Sequence, residues 1–135
     1  MADILALPFL AGRILLGGYF VMAGIAHFRQ HKMMTGYAAM KKVPLPGLAI
    51  FGTGALLTLG GLSVLAGLYP LVGLAMLGVF LVGVTPKMHD FWHVADPMQR
   101  MGEQTNFLKN AALLGAVLAL MALPQPWSYA LVVGG

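Results

Sequence analysis

The residues of this sequence that could do chemistry are concentrated in one polar segment, positions 85 to 110. It contains three of the four acidic residues and two of the four histidines of the chain. An imidazole beside a carboxylate can take up a proton and pass it on near neutral pH. We therefore predict that His89, paired with Asp90 or Glu103, handles a proton, and these three residues are the candidate catalytic residues.

A second candidate is an arginine within a long apolar stretch. In a membrane span, Arg13 would cost roughly 2.5 to 3.5 kcal/mol on translocon scales, so it must face the protein interior and find a polar partner. Two interpretations stay open. Arg13 could anchor a polar or anionic group of a ligand, or it could be a structural clamp on backbone carbonyls or on the side chains of Asn106 and Asn110.

A polar surface that could match this arginine lies farther along the chain. On a helix, Glu103, Asn106, Lys109 and Asn110 fall within an arc of about 120°. Such an arc cannot face lipid, so we expect it to face the interior, with Asn106, Lys109 and Asn110 as ligand-binding residues. Alternatively, the Lys109 side chain could extend to the membrane surface.

The four histidines form two pairs with a spacing of four residues, which is a metal-ligand spacing on a helix. His31 lies in a basic loop and His93 lies beside an interfacial tryptophan, where solvation alone explains a histidine. We therefore expect no bound metal, and a metal or haem site built from the pairs is an alternative. His27 shares a helical face with Arg13 and is a candidate ligand contact.

The Phe91-Trp92 dipeptide is typical of an aromatic anchor at the membrane interface. Trp92 could instead form the wall of a site for a ring-shaped ligand by stacking on it.

Composition limits the class of protein. Of the 135 residues, 59% are hydrophobic and 9% are charged, whereas soluble domains have roughly a quarter of their residues charged. The chain is therefore predicted to be a single transmembrane domain, residues 1–135, in a lipid bilayer. The net charge of +4 is better explained by membrane topology than by nucleic-acid binding. The chain has no cysteine, which excludes thiolate chemistry.

Hydrophobic patterning predicts an all-α integral membrane protein, an antiparallel bundle of four transmembrane helices. The predicted helices cover residues 4–28, 47–69, 71–86 and 97–123. Pro86 is expected to break the third helix, and a short interfacial helical segment should follow before Asp96-Pro97 starts the fourth. Residues 33–40 could form another short interfacial helix. Small residues at Ala111, Gly115 and Ala119 predict close helix packing.

Both charged loops should lie on one side of the membrane. The first loop carries Arg29, Lys32, Lys41 and Lys42, so the positive-inside rule predicts that both loops are cytoplasmic and both termini are outside.

The sequence resembles the DoxX family of small four-helix membrane proteins, which is related to the DoxD subunit of thiosulfate:quinone oxidoreductase. The resemblance lies in residues 12–28 (Gly-Arg-Ile-Leu-Leu-Gly-Gly-Tyr-Phe-Val-Met-Ala-Gly-Ile-Ala-His-Phe), 36–37, 43–46, 88–92 with 96–97, and 106–115. Matching polar positions are Arg13, His27, His89, Asp90, Trp92, Lys109 and Asn110. The resemblance implies a bacterial or archaeal inner-membrane protein tied to quinone, thiol or sulfur redox chemistry.

The expected function is a redox-associated membrane subunit that binds a quinone or a related small aromatic at the cytoplasmic half of the bundle. Arg13 and Lys109 would bind ring oxygens, His89 with Asp90 would handle the proton, and Trp92 would wall the site. Electrons would come from a redox partner or from a cofactor. The competing hypothesis is a non-catalytic scaffold that docks a soluble oxidoreductase, and a homo-oligomer is compatible with either.

Overall fold

The structure is a computed structural model that describes residues 3–131. Over this range it contains five α-helices, one short 3-10 turn and no strand. The helices are α1 (Asp3–Arg29), α2 (His31–Met40), α3 (Pro46–Ala66), α4 (Pro70–Met88) and α5 (Pro97–Met121). The 3-10 turn, Phe91–His93, lies between α4 and α5, where the short helical segment was predicted.

Proline sets the start of three of these helices. Pro46, Pro70 and Pro97 each occupy the first turn of α3, α4 and α5, where the missing N–H has no helical partner to lose. At α5 the Asp96 carboxylate also accepts a hydrogen bond from the Gln99 amide at 3.0 Å. This is the N-cap that the sequence predicts.

The expected break at Pro86 is wrong, because α4 continues through it to Met88. A proline in a helix clashes with the preceding turn, but its φ angle is itself helical, so the residues after it can continue the helix. Pro86 lies in the last turn of α4, where the cost is one backbone hydrogen bond.

The long helices pack side by side. α3 packs along both α1 and α4, and α5 packs along α4. A Cβ added to Gly24 of α1 would collide with the Thr58 side chain of α3, so the two backbones approach as closely as glycine allows. α2 packs across the start of α3.

Side chains from all four long helices form the core, with Phe20, Leu57, Leu77 and Val117 almost fully buried. Among the described residues, three helical segments are long and apolar enough to cross a membrane: Ile4–Arg29, Pro46–Ala66 and Pro70–His93. α5 is not one of them by composition, since its first half carries the polar residues.

The small-residue stripe of α5 does not pack as predicted. Ala111, Gly115 and Ala119 are exposed, and no described atom lies within 4 Å of a Cβ added to Gly115. α5 instead turns Val117 toward the core, because Leu113, Leu114, Val117 and Leu120 supply the larger apolar face that packs against it.

Candidate functional site

A cavity of about 620 Å³ lies at the end of the molecule where α1 and α4 end and α3 begins. All five helices contribute to its wall, which is mostly apolar and includes Phe20, Leu57 and Leu81. Four of the predicted site residues also line it: His27, His89, Lys109 and Asn110. A cavity of this size, with few polar groups in an apolar wall, is typical of a small-molecule site.

Asn110 is the most informative of these residues. The residue is only 7% exposed, and no hydrogen bond within residues 3–131 engages its side chain. Its amide atoms are not among the fully buried polar atoms without a partner in this range, which are Thr85 Oγ1 and Trp127 Nε1, so the amide is accessible from the cavity. Because Asn110 lines the cavity, its amide is free to bind whatever occupies that space.

Lys109 brings a positive charge to the same wall. Its Nζ lies 5.7 Å from the centre of the Tyr19 ring on α1, a cation–π contact that bridges α5 and α1. No carboxylate lies within 4.0 Å of Nζ among the described side chains. The ammonium can therefore donate hydrogen bonds to a polar or anionic oxygen in the cavity.

His27 contributes an acceptor. Its Nδ1 lies 2.8 Å from the carbonyl oxygen of Ala23, and because a carbonyl can only accept, Nδ1 carries the proton of that bond. In the neutral ring, Nε2 is then an acceptor. His27 also lies edge-on to Phe80, with ring centres 6.1 Å apart.

His89 is paired with Glu103, which is one of the two partners predicted for it. The His89 Nδ1 lies 2.7 Å from Glu103 Oε2, and the Tyr37 hydroxyl donates to Glu103 Oε1 at 3.2 Å. Partial burial, and next the Glu103 carboxylate, raise the pKa of Tyr37 above its ordinary value. The carboxylate orients the imidazole, and His89 can exchange a proton with the cavity.

Asp90 is not paired with His89. Its Oδ1 accepts from Lys41 Nζ at 2.6 Å, and its Oδ2 lies 3.3 Å from His93 Nδ1. The hydrogen bond to Asp90 is the main cause that raises the pKa of Lys41. Asp90 follows the end of α4, so its side chain points toward α2 and ties the 3-10 turn to that helix.

Arg13 lies at the other end of the molecule, apart from the cavity. Its guanidinium donates to the carbonyls of Val64 at 3.0 Å, Leu65 at 2.7 Å and Ser128 at 2.6 Å. The side chain is 1% exposed. This is the clamp on backbone carbonyls that the sequence left open, and the structure does not bring Arg13 to the polar arc of α5.

Two further predicted residues lie outside the cavity wall. Trp92 is 46% exposed and packs edge-on against Phe107, with ring centres 5.9 Å apart. Asn106 lies half-buried on α5 and does not line the cavity. The geometry of both fits the anchoring of the 3-10 turn and α5 rather than contact with a ligand in this cavity.

The histidine pairs do not converge on one point. The His31 Nε2 lies 2.9 Å from the Gly47 carbonyl, whereas His27, His89 and His93 contact Ala23, Glu103 and Asp90 respectively. Within residues 3–131, no three His, Asp or Glu side chains are grouped as metal ligands would be. The prediction that the protein binds no metal is one for metal analysis to test.

Sequence reasoning missed Tyr37 and Lys41 as members of the polar network. Tyr37 lies in the last turn of α2 and Lys41 is the C-cap residue that follows this helix. A signal was present, because the first charged loop is basic while the second contains Asp90, Asp96 and Glu103. Charge complementarity between the two loops would have predicted contacts between them.

Comparisons with known proteins give the family. Residues 9–90 match the DoxX family model, which covers α1 to α4 and leaves α5 outside the match. No curated protein and no solved structure matches the chain. The match spans more than half of the sequence, and with its long apolar helices this chain is a helical membrane protein that belongs to the DoxX family.

Proposed function

We propose that the chain is a membrane subunit that binds a quinone, or a related small aromatic, in the cavity between its helices. The observation that carries this proposal is the Asn110 amide, which no described residue engages and which is accessible in a largely apolar cavity of about 620 Å³. A flat ring with polar oxygens at its edge matches such a space, since the wall takes the ring and Asn110 takes an oxygen. The DoxX resemblance supports the redox character.

The residues of the cavity have distinct roles in this proposal. Lys109 and Asn110 hold the oxygens of the ligand and His27 contacts its polar edge. His89, oriented by Glu103 at 2.7 Å, takes or returns the proton, and Tyr37 supports Glu103 from α2. The roles of four other predicted residues are structural in this proposal, since they hold the helices and the 3-10 turn around the site: Arg13, Trp92, Asn106 and Asp90. A bound quinone would supply the electron-accepting couple.

The electrons must come from elsewhere, because the chain has no cysteine and therefore no thiol couple of its own. We propose a soluble or membrane redox partner, and a location in a bacterial or archaeal inner membrane. The partner would approach the end of the molecule where the cavity lies, since the polar network of Tyr37, Glu103 and His89 is partly exposed there.

We also propose that α5 crosses the membrane as a fourth span. Two contacts beyond its end support this: Leu131 N–H donates to the Ala66 carbonyl at 2.8 Å, and Arg13 binds the Ser128 carbonyl. The chain therefore returns, after α5, to the end of the molecule where α3 ends. Most residues in the polar first half of α5 are exposed, and the Tyr37 hydroxyl of α2 donates to Glu103 there.

A ligand-binding experiment tests the proposal. Menadione, an apolar two-ring quinone, should raise the melting temperature of the purified protein, because a ligand that binds only the folded state stabilises it by about 2.7 kcal/mol at a hundred times its Kd. Lys109→Met should weaken binding about tenfold to a hundredfold, since a hydrogen bond from a charged group is worth roughly 1.5–3 kcal/mol. Asn110→Leu should weaken it about fivefold, since a neutral hydrogen bond is worth roughly 1 kcal/mol.

Arg29→Gln is the matched control, because Arg29 is exposed and does not line the cavity. Arg13→Gln should lower the melting temperature of the free protein and leave the shift with menadione in place. The proposal fails if neither menadione nor its reduced form stabilises the wild type. It also fails if the shift persists unchanged in both cavity variants.

The alternative, a scaffold that docks a soluble oxidoreductase, is favoured by one observation. Arg29 at the end of α1 and Lys32 in the first turn of α2 are exposed, and neither forms an ion pair within the described part of the chain. These charges are free to meet an acidic surface. In that case Arg29→Gln with Lys32→Gln would abolish co-purification of a redox partner, while menadione would have no effect on stability.

A further inference from the structure

We infer that the cavity selects the reduced, hydroxyl-bearing form of its ring ligand over the oxidised form. This inference rests on the proposed function and adds the substrate class and redox state. It comes from two wall residues whose own protons are already engaged with backbone carbonyls, so that only lone pairs remain for a ligand.

The first of these residues is His27. Its Nδ1 proton is engaged by the Ala23 carbonyl at 2.8 Å, which leaves Nε2 of the neutral ring as an acceptor. Across the described residues Nε2 has no hydrogen-bond partner. A ligand at this position satisfies the nitrogen only if it carries a hydroxyl or another donor.

The second residue is Thr53 on α3, which also lines the cavity. Its hydroxyl donates to the Ala49 carbonyl at 2.7 Å, so its remaining capacity toward a ligand is as an acceptor. Thr53 lies beside the α3 turn that His27 touches, since a Cβ added to Gly54 would lie 2.9 Å from the His27 Cβ. α1 and α3 therefore present an acceptor side.

α5 presents mainly hydrogen-bond donors to the cavity. The Lys109 ammonium has only hydrogen-bond donors. The Asn110 amide has two N–H donors and an oxygen acceptor, and no described residue engages them. A fully oxidised quinone has acceptors only, so it satisfies α5 but places its oxygen lone pairs against those of His27 and Thr53. A hydroquinone or catechol donates a hydroxyl proton to the acceptor side while an oxygen accepts from Lys109.

Direct binding measurements test whether the cavity prefers the hydroquinone to the quinone. Trimethylhydroquinone, its dimethyl ether and trimethylbenzoquinone are titrated anaerobically into the purified wild-type protein by calorimetry. We expect the hydroquinone to bind roughly tenfold more tightly than the quinone or the dimethyl ether, because each of these leaves the acceptors unpaired. The dimethyl ether keeps the ring and its oxygens and carries methyl groups in place of the two hydroxyl protons.

Two variants and a control assign the preference to the acceptor side. Thr53→Val, which preserves side-chain shape, and His27→Phe should each reduce the preference for the hydroquinone about threefold or more. Thr105→Val is the control, because the Thr105 hydroxyl makes the same bond to the carbonyl four residues earlier, at 2.9 Å, but does not line the cavity. If His27→Phe does not fold, Thr53→Val carries the test.

The outcomes are distinct from those of the preceding proposal. Equal binding of the hydroquinone, the quinone and the dimethyl ether would overturn the redox-state selectivity and leave the ring site standing. An undiminished preference in Thr53→Val and His27→Phe would also overturn it. If none of the compounds binds, both the proposed function and the inference are wrong.

Discussion

At the scale of single residues, Arg13 shows how a membrane span can hold a charge. The last carbonyls of a helix lack helical partners and carry the negative end of the helix dipole. Arg13 of α1 binds two of these at the end of α3, those of Val64 and Leu65. The rings of Phe9 and Trp127 lie 5.7 and 5.6 Å from its guanidinium carbon and add cation–π attraction.

Replacing this arginine should therefore destabilise the protein whether or not a ligand is present. We expect Arg13→Gln to cost about 3 kcal/mol, because three charge-assisted hydrogen bonds are lost and the α3 carbonyls stay buried. Thermal unfolding in detergent measures this cost, with the exposed Arg29→Gln as control. Equal melting temperatures for Arg13→Gln and the wild type would contradict the clamp.

The Lys41–Asp90 pair predicts a pH dependence. The folded-state pKa of Lys41 is raised, mainly by its hydrogen bond to Asp90, so the folded state holds this proton more tightly than the unfolded state. The stabilisation is then complete below the ordinary lysine pKa and is lost as pH rises through the folded value, above about pH 10. The raised pKa of Tyr37 acts in the same direction.

Melting temperatures measured as pH increases from neutral into this alkaline range test this prediction. The wild type should lose more stability than the double variant Lys41→Met with Asp90→Asn, by about 1 kcal/mol or less for a partly exposed pair. Lys32→Met, at an exposed lysine, should follow the wild type. A double variant with the full alkaline loss would show that the pair does not contribute.

At the scale of elements, the α1–α3 crossing positions the acceptor side of the cavity. Gly24 allows the α1 backbone to lie against Thr58 and the Gly54 carbonyl of α3. The close approach brings His27, one helical turn farther along, next to the α3 segment that carries Thr53. In membranes such packing replaces the hydrophobic effect as the force between helices.

An alanine at this crossing should separate the two helices. Gly24→Ala is expected to lower stability by about 1–3 kcal/mol, the usual cost of overpacking, and to weaken ligand binding by moving His27. Gly18→Ala is the matched control on α1, because no described atom lies within 4 Å of its added Cβ and alanine favours the helix. Thermal unfolding with and without menadione reports both effects, and equal stability of the two variants would contradict the crossing.

At the scale of the whole molecule, the charged segments gather at one end. The polar network joins α2 to Asp90 and Glu103, and the turn at Gly67 and Tyr69 lies at the other end with Arg13 and Ser128. The predicted positions of the two termini fall on residues outside those described. The residues exposed on α1, α3 and α4 between these ends are mostly apolar, as a membrane span requires.

Cysteine labelling can establish the topology, since the chain has no cysteine of its own. Lys42→Cys and Arg100→Cys should react with an impermeant maleimide only from the cytoplasmic side, because the first loop carries the basic residues. Tyr69→Cys and Tyr129→Cys should react from outside. Labelling of Tyr129→Cys from the cytoplasmic side would show that α5 does not cross the membrane.

The sequence by itself determined the helical membrane class and the family. Apolar runs of about 20 residues can satisfy their backbone groups in lipid only as helices, so α1, α3 and α4 could be predicted close to their observed bounds. The N-cap at Asp96 was equally local. The contact between His89 and Glu103 was one of two alternatives that the sequence offered, because polar side chains are rare in such a chain, and the role of both residues at a site stays a prediction.

Only the tertiary structure decided which polar residues meet. Helical periodicity gives the direction of a side chain but neither its depth along the span nor its partner, so Arg13 shared a face with His27 and yet lies near the opposite end, on the α3 carbonyls. The same applies to Asp90, whose partner is Lys41, at the C-terminal end of α2, rather than His89. These pairings depend on how far each helix is shifted along its neighbour, which is set by contacts such as that of Gly24 with Thr58.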